Sequence, residues 1–422
     1  MGPKPREISS YKFHKILKRK WFFSQFHPIL SLKEKRILGL EALSRGYWMQ
    51  KANRVNPYFL IEAAKKYHRE TQLDDLWLQL SMENFSKSAF CRENLLLFLN
   101  INTSRVKEFQ HYSQWVIKLI ENYHLSPDQI VIEIVESESL DINALKEFTM
   151  ILKHSGVHLA LDDLGAGYSN FDRILQLEPE LVKVDRSLIQ DIFNNHTKQS
   201  TFRSIIDLAH RMGILVVAEG VENLAEIIQC GILGADLFQG YFFAHPLEIE
   251  KINESLCSDR IKQANVEYKN HLNDTLSHKI DYHKNLKKTV ELIEFDVLDK
   301  KDFFNLEDSF RKISLRFPHI DSFFILDHQG KQVSPGYGTP KQKNRFGLYN
   351  PSELGTDHSM KTYFISSLRG MDFFISDPYI SLSNGKLCKT IVRPFRIDQK
   401  WYHLCVDFLV DLEKDQSLVL GL

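Results

Sequence analysis

Leu159-Ala160-Leu161-Asp162-Asp163-Leu164-Gly165 sets two adjacent carboxylates at the end of an apolar run too short to be a helix. A run of this length and composition is a strand buried on both faces, so the aspartates project from its tip. The glycine that follows lets the chain turn sharply.

The same arrangement recurs on either side. Glu41-Ala42-Leu43-Ser44-Arg45 lies within one apolar run, Asn100 follows Leu95–Leu99, and Glu133-Ile134-Val135-Glu136 continues Ile130–Ile132. Further on, Lys183 and Asp185 alternate with valines, and Ala218-Glu219-Gly220-Val221-Glu222 closes another run. The candidate strands are Phe26–Leu32, Ile37–Leu43, Leu95–Asn102, Ile130–Glu136, His158–Leu164, Leu181–Asp185, Leu215–Glu219 and Leu237–Phe243. Helical periodicity falls between them over Pro57–Arg69, Leu73–Ser88, Tyr112–Tyr123, Ile142–His154, Thr201–Met212 and Leu224–Cys230. Strand and helix in alternation predict an α/β fold, a modified TIM (β/α)8 barrel. Lys33 to Arg36 is too short for a crossover helix, so the first two strands are expected as an antiparallel hairpin.

Such barrels carry their chemistry at the C-terminal ends of the strands. Here those ends offer Glu41, Asn100, Glu133, Asp162 with Asp163, Lys183 with Asp185, Glu219 and Gln239. Carboxylate and amide oxygens without clustered Cys or His are hard ligands, which suits Mg²⁺ or Mn²⁺ better than structural zinc. Adjacent aspartates can serve two ions, and an ion pair suits in-line displacement at phosphorus.

Bulk composition narrows the partners. The 54 basic and 54 acidic residues among 422 cancel, so no whole-chain field favours a nucleic-acid polymer. Cys91, Cys230, Cys257, Cys388 and Cys405 are scattered, with no metal-ligand or redox spacing, and read as core thiols in a reducing compartment. No apolar run is long enough for a transmembrane segment, so a cytoplasmic protein is expected. Tyr11–Trp21 interleaves Lys12, Lys15, Lys18, Arg19 and Lys20 with Phe13, Ile16, Leu17 and Trp21. We read it as an amphipathic helix covering one end of the barrel, the other reading being a basic helix on an anionic membrane.

Residues from about 11 to 250 resemble the EAL domain, the family of cyclic di-GMP phosphodiesterases. The likeness runs through Glu41-Ala42-Leu43 with Arg45, Leu99-Asn100-Ile101-Asn102, Glu133 and Glu136, and Asp162 through Ser169. It continues in Val182-Lys183-Val184-Asp185, Ala218 through Glu222 and Gln239-Gly240-Tyr241. The resemblance implies a two-metal site of Glu41, Asn100, Glu133, Asp162, Asp163 and Glu219, with Lys183 orienting or deprotonating the attacking water. It implies substrate contacts from Arg45, His27, Asp185 and Gln239, and anchoring of the loop Asp163–Asn170 by Glu136 and Glu222. The implied reaction is metal-dependent hydrolysis of cyclic di-GMP to linear pGpG. The alternative is a catalytically weak cyclic di-GMP receptor or a small-molecule sensor. Degenerate receptors typically lack metal residues, and this chain lacks none of them.

The chain departs from the family pattern at His27, where glutamine is usual, and at Gly46, where tryptophan is common. Val135, Leu164 and Asn170 stand for a frequent threonine, phenylalanine and serine. None of these is a metal ligand. For His27, nucleotide contact and a plain strand-end histidine both remain open.

Residues 1–250 are thus the expected barrel and 251–298 a helical connector, read as a dimerising coiled coil or as a helix packed on its own C-terminal domain. A homodimer is expected. Residues 299–422 carry strand signals at Ser322–Asp327, Phe373–Ser376, Lys389–Arg396 and Trp401–Phe408. They resemble an α+β PAS-like or Cache-like sensor domain, whose cavity would be lined by Tyr363, Asp377, Tyr379, Arg393 and Asp407 and would take an unknown small ligand.

Overall fold

The computed structural model describes residues 8–48, 53–93, 95–135, 141–165, 171–253, 255–338, 352–381 and 385–410. It divides into two compact units, Met1–Leu272 and Asn273–Leu422. The division falls inside one continuous helix.

Unit one opens with α1 (Ser10–Arg19), capped by Ser9, whose hydroxyl accepts from the Lys12 amide. Phe13, Ile16 and Leu17 are buried against Trp21, Trp48, Leu60, Ala63 and Ala64. The apolar stripe that a membrane-lying helix needs is consumed inside the fold, which overturns the membrane reading of this segment. Then follow β1 (Phe22–Ser31), β2 (Arg36–Trp48), β3 (Asn53–Val55), α2 (Pro57–Lys66), α3 (Glu70–Ser86), β4 (Leu96–Asn100), α4 (Phe109–Asn122) and β5 (Ile130–Val135). The alternation continues with α5 (Ile142–His154), β6 (His158–Leu164), α6 (Phe171–Leu177), β7 (Leu181–Val184), α7 (Arg186–Ile189), α8 (His196–Arg211), β8 (Leu215–Glu219), α9 (Leu224–Leu233) and β9 (Leu237–Gln239).

Strand order is β1-β9-β8-β7-β6-β5-β4-β2, and the pairing of β1 with β2 closes the barrel. β1 runs antiparallel to both neighbours, as the short connection requires, and β3 extends β2 outside the ring. The short strand β3 carries no sequence signal of its own. Neither does α7, a single turn after β7.

Because strand side chains alternate, each inward-facing apolar residue places a second inward residue two positions along. Ile29, Phe98, Val131, Ala160, Leu181, Val217 and Leu237 form one buried cluster inside the barrel. Two residues further along their parallel strands stand Asn100, Glu133, Asp162, Lys183, Glu219 and Gln239. On antiparallel β1 the count reverses, and His27 lies opposite Glu41 of β2. Gly39 is required at the level of the plug, since a Cβ there would meet Phe98 Cε2 at 2.5 Å. The apolar plug is therefore the floor on which the site is laid.

In unit two the helix α10 (Ser258–Lys300), begun in unit one, buries Leu286, Val290, Ile293 and Val297. α11 (Glu307–Arg316), β10 (Ile320–Asp327), β11 (Tyr337–Gly338), α12 (Thr362–Ser367), β12 (Phe374–Ile375), β13 (Tyr379–Ile380), β14 (Leu387–Ile397) and β15 (Lys400–Leu409) complete it. The sheet is antiparallel, in the order β11-β10-β15-β14-β12 with β13 on β14. Strand alternation splits the residues expected around one cavity. Arg393 faces α10 and pairs with Glu294 at 2.6 Å and Glu291 at 3.4 Å. Tyr363 and Tyr379 pack with Phe324, Val392 and Cys405, a cluster of the opposite face. Asp407, alternate to the α10-facing Val406 and Phe408, is buried and accepts hydrogen bonds from Thr390 (2.7 Å) and Ser322 (3.1 Å). Arg393 is thus removed from the expected set, because one residue of displacement on a strand changes the face.

Candidate active site

The polar layer above the plug converges on Lys183. Its Nζ lies 2.6 Å from both Glu133 and Glu219, 3.3 Å from Asp162 and 3.7 Å from Glu41, and the side chain is 1% exposed. Asn100 donates to Glu41 (3.1 Å) and Glu133 (2.9 Å), leaving its carbonyl oxygen free of these bonds. Gln239 donates to the other Glu41 oxygen at 2.6 Å. Five of the expected site residues thus lock onto Glu41 or Lys183 by direct contact.

One ammonium does not neutralise this many buried carboxylates. Burial, with Glu41 and Asp162 nearby, raises Glu133 well above the usual carboxylate range against the pull of Lys183. Burial likewise pushes Glu219 up to about 8, and burial with Asp162 and Asp185 pushes Asp163 up to about 6. Glu41 is the exception: despite burial, Lys183 and the Gln239 amide hold it below its ordinary value. Without metal, Lys183 itself is raised well above the usual lysine range, since its carboxylates outweigh its desolvation.

The donor set fits divalent cations. Carboxylate oxygens of Asp162, Asp163 and Glu219 lie within 4.8 Å of one another. Glu133 Oε1 and Asp162 Oδ1 are buried with the Lys183 ammonium, 2.6 and 3.3 Å away, as their partner, and a single cation shared among four carboxylates leaves negative charge that a divalent ion would neutralise. Asp163 reaches the group through a left-handed backbone (φ 59°), beside an irregular register between β6 and β7. Strict alternation would have turned it away from Asp162.

A cavity of about 260 Å³ opens on this layer, lined by His27, Glu41, Arg45, Asp162, Lys183 and Asp185 among others. Arg45 is half-buried and held by Gln25 (3.1 Å), which in turn donates to the Pro246 carbonyl (3.1 Å). His27 is buried, Nε2 against the Ala244 carbonyl at 3.1 Å, its pKa lowered by burial. Asp185 caps α7 by accepting from the Ser187 amide, and Glu222 pairs with Arg186 at 2.8 Å. Glu136 and residues 166–170 lie outside the described residues, so the expected anchoring of that loop has no structural counterpart here.

The turn after Glu219 is tight. Gly220 has φ 66°, and a Cβ would lie 2.7 and 2.8 Å from Arg186 Cβ and Cγ. Gly220→Ala is expected to cost about 1–3 kcal/mol and to lower turnover by displacing Glu219. Unchanged melting temperature and unchanged turnover together would contradict this account.

Two residues of interest escaped the sequence reading. A second cavity of about 450 Å³ shares Leu43 and Arg45 with the first and reaches Asn100 on β4 and Asp74 and Trp77 on α3. Asp74 is pushed up to about 7 by burial while accepting from Tyr112 at 3.1 Å. Trp77 Nε1 is buried without a partner. Their spacing of three residues puts both on one helical face, but an acid in an amphipathic helix gives no signal in sequence.

A closed barrel with one reversed strand and an acidic layer at its strand ends defines an α/β barrel domain whose donor set fits divalent cations. Residues 12–246 match the EAL domain family model, and the chain belongs to that family. It is 22% identical over 404 residues to the EAL-domain containing protein YkuI of Bacillus subtilis, covering 92% of this chain and 95% of that one. It is 29% identical over 234 residues to the cyclic di-GMP phosphodiesterase RocR of Pseudomonas aeruginosa, covering 54% of this chain and 57% of RocR. The crystal structure of YkuI in complex with substrate c-di-GMP and calcium superposes with a TM-score of 0.77 at 22% identity, over 94% of this chain and 99% of YkuI. At that identity the superposition establishes a shared fold.

Proposed function

We propose that the protein hydrolyses cyclic di-GMP to linear pGpG with Mg²⁺ or Mn²⁺ at a two-metal site. The observation that carries this reading is the excess of buried carboxylate around one ammonium, with four carboxylates sharing the single charge of Lys183. Membership of the EAL family and the YkuI complex with c-di-GMP and calcium support the choice of substrate class and of a divalent ion. Glu41, Asn100, Glu133, Asp162, Asp163 and Glu219 would hold the ions. When bound, such ions supply Lewis-acid polarisation of phosphoryl oxygen and a more acidic water.

The chain's own groups would do the rest. The Lys183 ammonium, fixed between Glu133 and Glu219, orients the attacking water as a donor, and Arg45 gives a charge-assisted bond to a phosphate. A P–O bond forms to water, the P–O3′ bond breaks, and the leaving oxygen takes a proton. His27, whose Nε2 is engaged with Ala244, serves as wall, along with the exposed ring of Tyr241 5.9 Å from it. Chromatography of cyclic di-GMP incubated with the protein and Mg²⁺ or Mn²⁺ should show pGpG. Intact nucleotide after a metal-replete incubation, with binding retained, would instead favour a receptor.

A cyclic dinucleotide is too large for the first cavity alone, and the second would take one base. Ionised Asp74 can accept from guanine N1–H and N2–H, and Trp77 Nε1 can donate to O6. Asp74→Ala should raise KM about tenfold with little change in kcat. Because only the ionised carboxylate accepts both donors, and burial lifts its pKa to about 7, substrate affinity should rise with pH through about 7. In Asp74→Asn that rise should be absent; a binding profile identical to wild type would remove Asp74 from the base site.

For unit two, the face carrying Tyr363, Tyr379 and Asp407 is the part suited to a sensor's ligand. Such a ligand regulates the barrel only by binding one conformation better than another.

A further inference from the structure

We propose that a groove at the N-terminal end of the barrel, opposite the chemistry, binds a soluble organic monoanion with an apolar body. The groove has a volume of about 620 Å³, within the range of small-molecule sites. It lies wholly in unit one, between the β1–β2 turn, the approach to β4 and the first turns of α10. Arg36 at its edge begins the strand that carries Glu41, about 16 Å further along β2.

Its floor is apolar: Ile37, Phe90, Leu95 and Ile261 are each less than a tenth exposed. Its rim is cationic, with Lys35, Arg36 and Lys262 against the single carboxylate of Glu93. Among the described residues no ion pair engages Lys35 or Arg36. Lys262 has only Asp259, at 3.9 Å, with both side chains at least three-quarters exposed. A pair so open to water contributes little, so these charges are available. Asn265, also in the lining, has its Nδ2 buried without a hydrogen-bond partner. A buried amide donor left unpaired is costly, and an acceptor oxygen on the ligand would satisfy it. Apolar floor, cationic rim and an unmet donor together select an anion attached to a hydrophobic body. A polyphosphate would leave the floor uncovered, and a neutral hydrophobe would leave the rim and Asn265 unused.

The test uses the full chain and the fluorescent probe anilinonaphthalene sulfonate, with its uncharged parent phenylnaphthylamine as the neutral counterpart. Saturable one-to-one binding of the sulfonate is expected, with the neutral compound weaker by about tenfold or more. Reversing the rim in an Arg36→Glu, Lys262→Glu double variant should weaken the sulfonate by about tenfold or more and leave the neutral compound unchanged. Val266→Trp offers a variant that keeps the charge: Val266 lines the groove and is 58% exposed, so the indole can fill it without disturbing the core, and both probes should be lost. Sulfonate affinity unmoved by either variant, equal affinity for the two probes, or no saturable binding would overturn the proposal.

Discussion

Lys183→Met is expected to destabilise the metal-free protein by about 3–5 kcal/mol, the usual cost of leaving buried charge without its counter-ion. Four carboxylates lie within 3.7 Å of this ammonium, and methionine preserves volume while removing the cation that, among the described residues, faces them all. The variant should recover much of this loss when Mn²⁺ or Mg²⁺ is added, so its metal-induced rise in melting temperature should exceed that of wild type. Turnover should fall about a hundredfold or more, with KM little changed, because the lost donor acts on the reacting water rather than on the bases. Equal metal-induced shifts in the two proteins would show that Lys183 does not stand in for positive charge at this site.

Glu41→Ala should differ from it in the response to metal. Glu41 accepts from Asn100 and Gln239 and faces Lys183, so its removal frees two amides and takes away an expected ligand, and hydrolysis should fall by about a thousandfold or more. Glu41 is held below its ordinary value by Lys183 and the Gln239 amide despite its burial, so its ionised form contributes stability at neutral pH that the variant loses. The metal-free variant should therefore melt below the wild type, and its metal-induced stabilisation is lost. Stability in the absence of metal is compared by thermal unfolding, and turnover by chromatography. Wild-type turnover in this variant would refute the metal assignment.

Much of this site was legible because strand periodicity and strand-end chemistry reinforce one another. The apolar residues of the plug and the polar residues two positions beyond them are adjacent in sequence, so Asn100, Glu133, Lys183 and Glu219 could each be placed from local pattern. The hairpin of β1 and β2 followed from a connection too short to reverse twice. Strand ends were less well defined: β4 stops at Asn100 and β9 at Gln239, since the residues beyond leave the ring for loops whose conformation is set by neighbours. Asp74 and Trp77 stayed invisible, because α3 becomes a cavity wall only through its packing beside β2 and β4.

Sequence by itself determined the barrel, its reversed strand and the ring of oxygen donors, since each depends on periodicity within a few residues. Only the tertiary structure decided that four carboxylates surround Lys183 and raise its pKa, and that Arg393 faces away from Tyr363 and Asp407. It alone decided that Asp163 turns toward Asp162 through a left-handed backbone. Charge state, sheet face and backbone strain are set by groups distant in the chain, and local pattern carries no record of them.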